Sequence, residues 1–343
     1  MRYGILTSGG DCPGLNAVLR AVVRRAEKVH SDEVIGFIDG WDGVLTDRWE
    51  QMDITRCRGI LPRGGTILGT SRVTPYQVDG GLDIARQTID DLGLDGMIVV
   101  GGNGSLAAAH DLNRDGIACV GVPKTIDNDI AATEMTFGFD TAVQIATDAI
   151  DRLHTTAEAH HRVLVVEVMG RDVGHIALRA GLAGGATMTL IPEVPFDIDQ
   201  VCDALRRRHA SGKWASIVVV AEGAAPVDGG TWAGLSYAVD QFGHRRLGGI
   251  GAALSVAIEE RTAFESRVTV LGHVQRGGTP TAFDRVLSTR YGIAAADLAH
   301  DGGWDQMVAL RADEIVRVPL ADAISSIKSV SPSLIEVARN FFA

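Results

Sequence analysis

Residues 98–113 read IVVGGNGSLAAAHDLN, and three readings compete for them. Asn103-Gly104 between apolar runs is a hairpin signal. Asn103-Gly104-Ser105 is also an N-glycosylation acceptor triplet. A strand closing in two glycines and opening into a helix would instead make a phosphate cradle, because free amides at a helix start attract anions. The segment after the turn, SLAAAHDLN, has helical rather than alternating character, which weakens the hairpin. The N-terminus, MRYGILTSGGDCPG, lacks the apolar core of a secretory signal, and no apolar run reaches membrane-spanning length. Glycosylation therefore drops out, and the expectation is a soluble, cytoplasmic protein.

Working outward, the same alternation runs along most of the chain. YGILT, EVIGFID, GMIVVGG, ACVGVP, RVLVVEVMG, SIVVVAEG and VTVLGHV each read as a Val/Ile-rich strand. Between them LNAVLRAVVRRAEKV, LDIARQTIDDLG, TAVQIATDAIDRLHTTAEAH and IDQVCDALRRRHAS read as helices. Near-continuous apolar strands alternating with helices predict an α/β fold, its mainly parallel sheets flanked by helices on both faces. Ligands in such sheets lie beyond the carboxyl ends of the strands. The chain has 343 residues, 46% of them hydrophobic and 22% charged, a size that suggests two domains. A net charge of −11 argues against nucleic acid or an anionic membrane as the main partner. Cys12, Cys57, Cys119 and Cys202 show no metal-ligand spacing and read as buried free thiols.

Polar or glycine-rich clusters follow the strands, as chemistry in an α/β enzyme should. Gly9 and Gly10 come after the first strand, with a helix beginning near Leu15. By itself this fits a tight βα turn as well as a phosphate loop; neither the Walker pattern nor the full dinucleotide fingerprint is present. Gly101 to Ser105 repeat the device one unit later, so two glycine turns could surround a polyphosphate, with Arg72 as a cation nearby. In PKTIDNDI, Asp127 and Asp129 would point to one side of an extended segment. One could take a proton from a hydroxyl while the other orients magnesium. The competing reading is an Asp-rich turn, for which Asn128 is well suited. Arg162, Arg171, Arg267, His273 and Arg276 collect cations on an acidic chain, with Glu222 as an acceptor for sugar hydroxyls. Together these residues point to phosphoryl transfer between a polyphosphate and a phosphosugar.

At that point GILTSGGDCPGLNAVLRAVV, GGTILGTSR, GGNGS, PKTIDND, HHRVLVVEVMGR, AEGA and RVTVLGHVQRGGTPTAFDR resemble the 6-phosphofructokinase family in order and spacing, from residue 1 to beyond 320. The branch it looks like holds both ATP-using and pyrophosphate-using enzymes. The resemblance implies two similar α/β domains with the active site between them. Residues 1–138 with about 276–325 would hold the donor, and 139–275 with about 326–343 the sugar phosphate. It implies Asp127 as the base for the fructose 1-hydroxyl, with Thr125 and Arg171 steadying the transferring phosphoryl group. Gly10, Arg72, Gly102, Gly104, Ser105 and Lys124 would hold ATP, and Asn103 and Asp129 would sit at Mg2+. Met169, Gly170, Glu222, His273 and Arg276 would hold fructose 6-phosphate. Arg162 and Arg267 would reach its phosphate from a neighbouring subunit of a homotetramer.

Gly104 leaves room for a nucleotide where pyrophosphate enzymes of the family usually carry Asp, whereas Lys124 is typical of those enzymes. Asn103 stands where the family normally has a carboxylate, which removes a charge from the metal site. In the family's effector site Arg20 and Arg24 have counterparts, but Thr187 replaces a Glu and His154 an Arg. The leading reading is an ATP-dependent phosphofructokinase. The alternatives are pyrophosphate as donor, a related acceptor such as sedoheptulose 7-phosphate, or a catalytically weakened sugar-phosphate-binding protein suggested by Asn103.

Overall fold

A computed structural model describes residues 1–227 and 248–341. In chain order the strands are β1 (Arg2–Thr7), β2 (Glu33–Phe37), β3 (Trp49–Met52), β4 (Gly96–Gly101), β5 (Cys119–Pro123), β6 (Val163–Val168), β7 (Met188–Leu190), β8 (Ser216–Ala221), β9 (Ser266–Val270), β10 (Gln306–Arg311) and β11 (Glu314–Pro319). The helices are α1 (Leu15–Arg25), α2 (Trp41–Leu45), α3 (Gly81–Asp91), α4 (Asn103–Arg114), α5 (Phe139–His160) and α6 (His175–Ala183). They continue with α7 (Ile198–Ala210), α8 (Ile250–Thr262), α9 (Ala282–His300), α10 (Leu320–Ala323) and α11 (Pro332–Arg339).

The chain divides into two compact units, Met1–Thr141 with Arg276–Lys328 and Ala142–Gln275 with Ser329–Ala343. Among the described residues the first unit holds a sheet in the order β11-β10-β5-β4-β1-β2-β3. Its interior pairings are parallel, and Met97 to Val100 on β4 have no exposed surface. A strand apolar on both faces is buried on both faces, each such side chain contributing about 1.5–3 kcal/mol by leaving water. The edges are antiparallel beside this parallel interior, β3 pairing with β2 and β11 with β10. The core below this sheet gathers Leu6, Phe37, Met97, Val99, Leu106 and Met307.

The second unit carries a parallel sheet in the order β7-β8-β6-β9. Its core joins Val165, Leu190, Val218, Val220 and Leu254. Cys12, Cys57, Cys119 and Cys202 are free and buried. Among the described residues no helix is long and apolar enough to cross a membrane.

Candidate active site

In the first sheet the chain runs from β1 to β2 on one side and returns at β4 on the other. The crevice between β1 and β4 is therefore a switch point, where a parallel sheet opens at its carboxyl end. Both glycine turns lie there. The stretch 98–113 is a strand, a turn and a helix: β4 ends at Gly101, Gly102 is the N-cap of α4, and no side chain caps that helix start. The hairpin reading ends with that geometry.

The two turns are tied together. Ser105 Oγ donates to Ser8 Oγ at 3.0 Å, and Ser8 and Gly9 are fixed by Val100 and Ser71 carbonyls. Gly9 has φ +84°, a conformation costly to any residue with a Cβ. Gly10 lies under a guanidinium: a Cβ there would be 2.7 Å from Arg276 Nη1, which donates to the Asp11 carbonyl at 3.1 Å. Lys124, buried, reaches the same turn from β5 and donates from Nζ to the Gly10 carbonyl at 2.5 Å. Burial pushes its ammonium pKa down, and Arg276 adds to that, while Asp11 and Asp127 oppose it. Above Gly104 lies open space, with no atom within 4 Å of where a Cβ would stand.

The PKTIDNDI segment is a turn rather than an extended strand, because Asn128 adopts φ +53°. Even so, Thr125, Asp127 and Asp129 are half-buried while Ile126, Asn128 and Ile130 are buried. Thr125 Oγ1 accepts from the Asp127 amide at 3.1 Å, and its carbonyl accepts from Thr136 Oγ1 at 2.7 Å. Asn103, at the start of α4, donates from Nδ2 to Asp129 Oδ2 at 2.8 Å. The two residues expected at magnesium are therefore neighbours. Their donor set, one carboxylate and one amide oxygen, suits a hard ion that keeps waters and takes its remaining oxygens from substrate phosphates. Arg72 is exposed beside this turn system, one residue from the Ser8–Ser71 bridge.

In the second unit Met169, Gly170 and Arg171 follow β6, Glu222 follows β8, and His273 follows β9, so all leave the carboxyl ends of adjacent strands. The Met169 amide donates to Gln275 Oε1 at 3.3 Å, and the Gly223 amide to the Gly170 carbonyl at 3.1 Å. Arg171 and Glu222 are half-buried and His273 exposed. Arg276, expected with this group, lies in the first unit against Gly10 and Asp11.

Arg162 and Arg267 stand elsewhere. Arg162 precedes β6, and Arg267 lies near the amino end of β9, opposite Leu164. The six residues of β6 separate them from the Met169 end by about 20 Å. Both arginines converge on one carboxylate: Glu265 Oε1 lies 2.8 Å from Arg162 Nη2 and 2.5 Å from Arg267 Nη2. The Arg162 hydrogen bond, with the charge of both arginines, holds the Glu265 carboxyl below its usual value.

A cavity of about 520 Å³ in the second unit includes Gly185, Thr187, Arg208 and Lys213 in its lining. Thr187 Oγ1 accepts from the Ile217 amide at 3.2 Å, and His154 Nε2 pairs with the Gly184 carbonyl at 2.6 Å. In the first unit His30, Asp32 and His300 form a compact group, but the two rings stack at 4.0 Å, so their in-plane lone pairs run side by side. Asp32 is already engaged by the N-terminal ammonium, Tyr3 and His300.

Sequence reasoning missed Gln275, Glu265 and Lys328. Gln275 sits inside the HVQR stretch, which drew attention only to its histidine and arginine. Glu265 precedes β9 without any motif of its own, and Lys328 lies in the short polar stretch SSIKS, which carries none either.

A profile of the phosphofructokinase family matches residues 2–299, and the chain belongs to that family. Two groups of relatives resemble it over their full lengths. A pyrophosphate–fructose 6-phosphate 1-phosphotransferase of Amycolatopsis mediterranei is 55% identical over 342 residues, covering 100% of both chains. An ATP-dependent 6-phosphofructokinase of Mycobacterium leprae is 54% identical over 343 residues, with the same coverage. Among solved structures, phosphofructokinase from Saccharomyces cerevisiae superposes with a TM-score of 0.81 at 29% identity, over 99% of this chain and 46% of that one. A pyrophosphate-dependent phosphofructokinase from Nitrosospira multiformis shares the fold, with a TM-score of 0.84 at 19% identity over 96% and 86% of the two chains.

Proposed function

We propose that this chain transfers a phosphoryl group from ATP to the 1-hydroxyl of fructose 6-phosphate, giving fructose 1,6-bisphosphate, in the cytoplasm. The observation that carries the choice of donor is the open space above Gly104, beside the paired glycine turns. Gly10, Gly102, Ser105, Lys124 and Arg72 bind the donor phosphates through amides and cations. Asp127 is the base that takes the 1-hydroxyl proton as the oxygen attacks. Thr125 and Arg171 hold the transferring group in line, a role that rests on position and charge rather than covalent chemistry. Met169, Gly170, Glu222, His273 and Arg276 hold the sugar phosphate.

Asp129 and Asn103 would hold magnesium, which would supply charge neutralisation at the phosphates. Arg162 and Arg267 bind the 6-phosphate of sugar held by a neighbouring copy in a homotetramer. Their place at the amino ends of β6 and β9, about 20 Å from the Met169 end, supports a role outside their own chain's sugar site.

The second reading is pyrophosphate as donor, which the buried Lys124 and the Amycolatopsis relative favour. A coupled assay of fructose 6-phosphate with each donor decides between them. Turnover with pyrophosphate alone removes ATP from the account.

A further inference from the structure

The loop that carries Asp127 and Asp129 is held by a residue far away in sequence. Lys328 Nζ donates to Asn128 Oδ1 at 3.0 Å, to the Thr133 carbonyl at 2.8 Å and to the Glu134 carbonyl at 2.9 Å. Its own amide donates to the Asp129 carbonyl at 2.8 Å, and Ile327 bridges Ile130. The loop needs such a clamp, since Asn128 and Ala132 both sit at positive φ, +53° and +60°, where a Cβ is unfavourable. Asn128 is the pivot between the two carboxylates. Its Oδ1 accepts from Lys328 and from the Thr136 amide at 3.0 Å, and Thr136 in turn holds the Thr125 carbonyl. One ammonium therefore fixes the backbone on both sides of the Asp127–Asp129 pair, through charge-assisted bonds that outlast neutral ones.

We infer that Lys328 is a positioning residue for phosphoryl transfer: it sets where Asp127 and Asp129 point without touching either substrate. This rests on the proposed function for the roles of those two carboxylates. A misplacement of about 1 Å at a reacting group is enough to cost about 100-fold in rate. The loss falls on kcat, because most of the acceptor's binding residues, Met169, Gly170, Glu222 and His273, lie in the other unit.

The test uses the full-length chain with Lys328→Met and Lys328→Cys. Expected for Lys328→Met are a kcat about 100-fold lower, a KM for fructose 6-phosphate within about threefold of the parent, and faster amide hydrogen exchange across residues 125–136. Alkylating Lys328→Cys with 2-bromoethylamine restores an ammonium at nearly the lysine length. The buried native cysteines favour reaction at position 328, and the parent treated alike is the control. Recovery of most of kcat on alkylation supports the inference. A folded Lys328→Met with kcat within threefold of the parent overturns it, as does a loss carried by KM. If the parent turns over with neither ATP nor pyrophosphate, the functional reading fails by itself; unchanged exchange at 125–136 then also removes Lys328 as the clamp.

Discussion

Gly104→Asp separates folding from donor choice. Gly104 is the second residue of α4, and a Cβ there meets nothing within 4 Å. Replacing helical glycine by aspartate gains about 0.3 kcal/mol in propensity, and a carboxylate in the first turn gains about 0.3–1 kcal/mol from the helix dipole. The variant should therefore be more stable by about 1 kcal/mol, a rise in Tm of about 2–4 °C for a unit of this size. Donor binding should move the other way. Our account runs the nucleotide beyond its last two phosphates into the space over Gly104. Two like unit charges about 6 Å apart, the reach of one side chain, repel by about 3 kcal/mol at an effective dielectric of about 20. That corresponds to about a 100-fold loss of kcat/KM for ATP. Pyrophosphate, which ends short of that space, should lose far less. A coupled spectrophotometric assay with each donor, beside a thermal melt, reads both quantities. A more stable variant that keeps ATP kcat/KM within threefold would refute the placement of the nucleotide over Gly104.

Asp127→Ser should lower kcat by about 10³-fold while fructose 6-phosphate still binds in calorimetry; near-normal turnover would remove Asp127 as the base. Asn103→Asp turns the 2.8 Å amide–carboxylate bond into a carboxylate pair, so the metal-free protein should lose about 1–2 kcal/mol and regain it on magnesium titration. An unchanged melting temperature across that titration would show that the pair does not hold the ion. Burial raises the Asp284 carboxyl to about 6, despite donors from Gly138 and Thr141. A raised folded pKa means its contribution is complete below the unfolded value of 3.8 and is lost as pH rises through about 6, a change of about 3 kcal/mol. Denaturant melts of Asp284→Asn between pH 4 and 6.5 should show a flatter profile than the parent, and an identical slope would contradict the assignment.

Most of the parallel strands were legible because a strand buried on both faces writes itself as an apolar run; GMIVVGG and RVLVVEVMG became β4 and β6. β3 was not, because WEQM is an exposed antiparallel edge with little apolar signal. The β10–β11 hairpin escaped as well, since its turn uses Ala312 at φ +51° in place of the usual Asn-Gly. At the candidate site, the glycine turns and carboxylates announce themselves locally. Asn128 at positive φ fits the Asp-rich turn that competed with the extended segment, and the turn is what forms. Lys328 carries no local mark, because its work is done across a gap of 200 residues in sequence.

The most direct test of the central claim is turnover of fructose 6-phosphate by the purified full-length chain, with ATP and pyrophosphate supplied separately in magnesium buffer. The account predicts fructose 1,6-bisphosphate formation with ATP at a kcat/KM exceeding that with pyrophosphate. Product with pyrophosphate alone, or with neither donor, would contradict it.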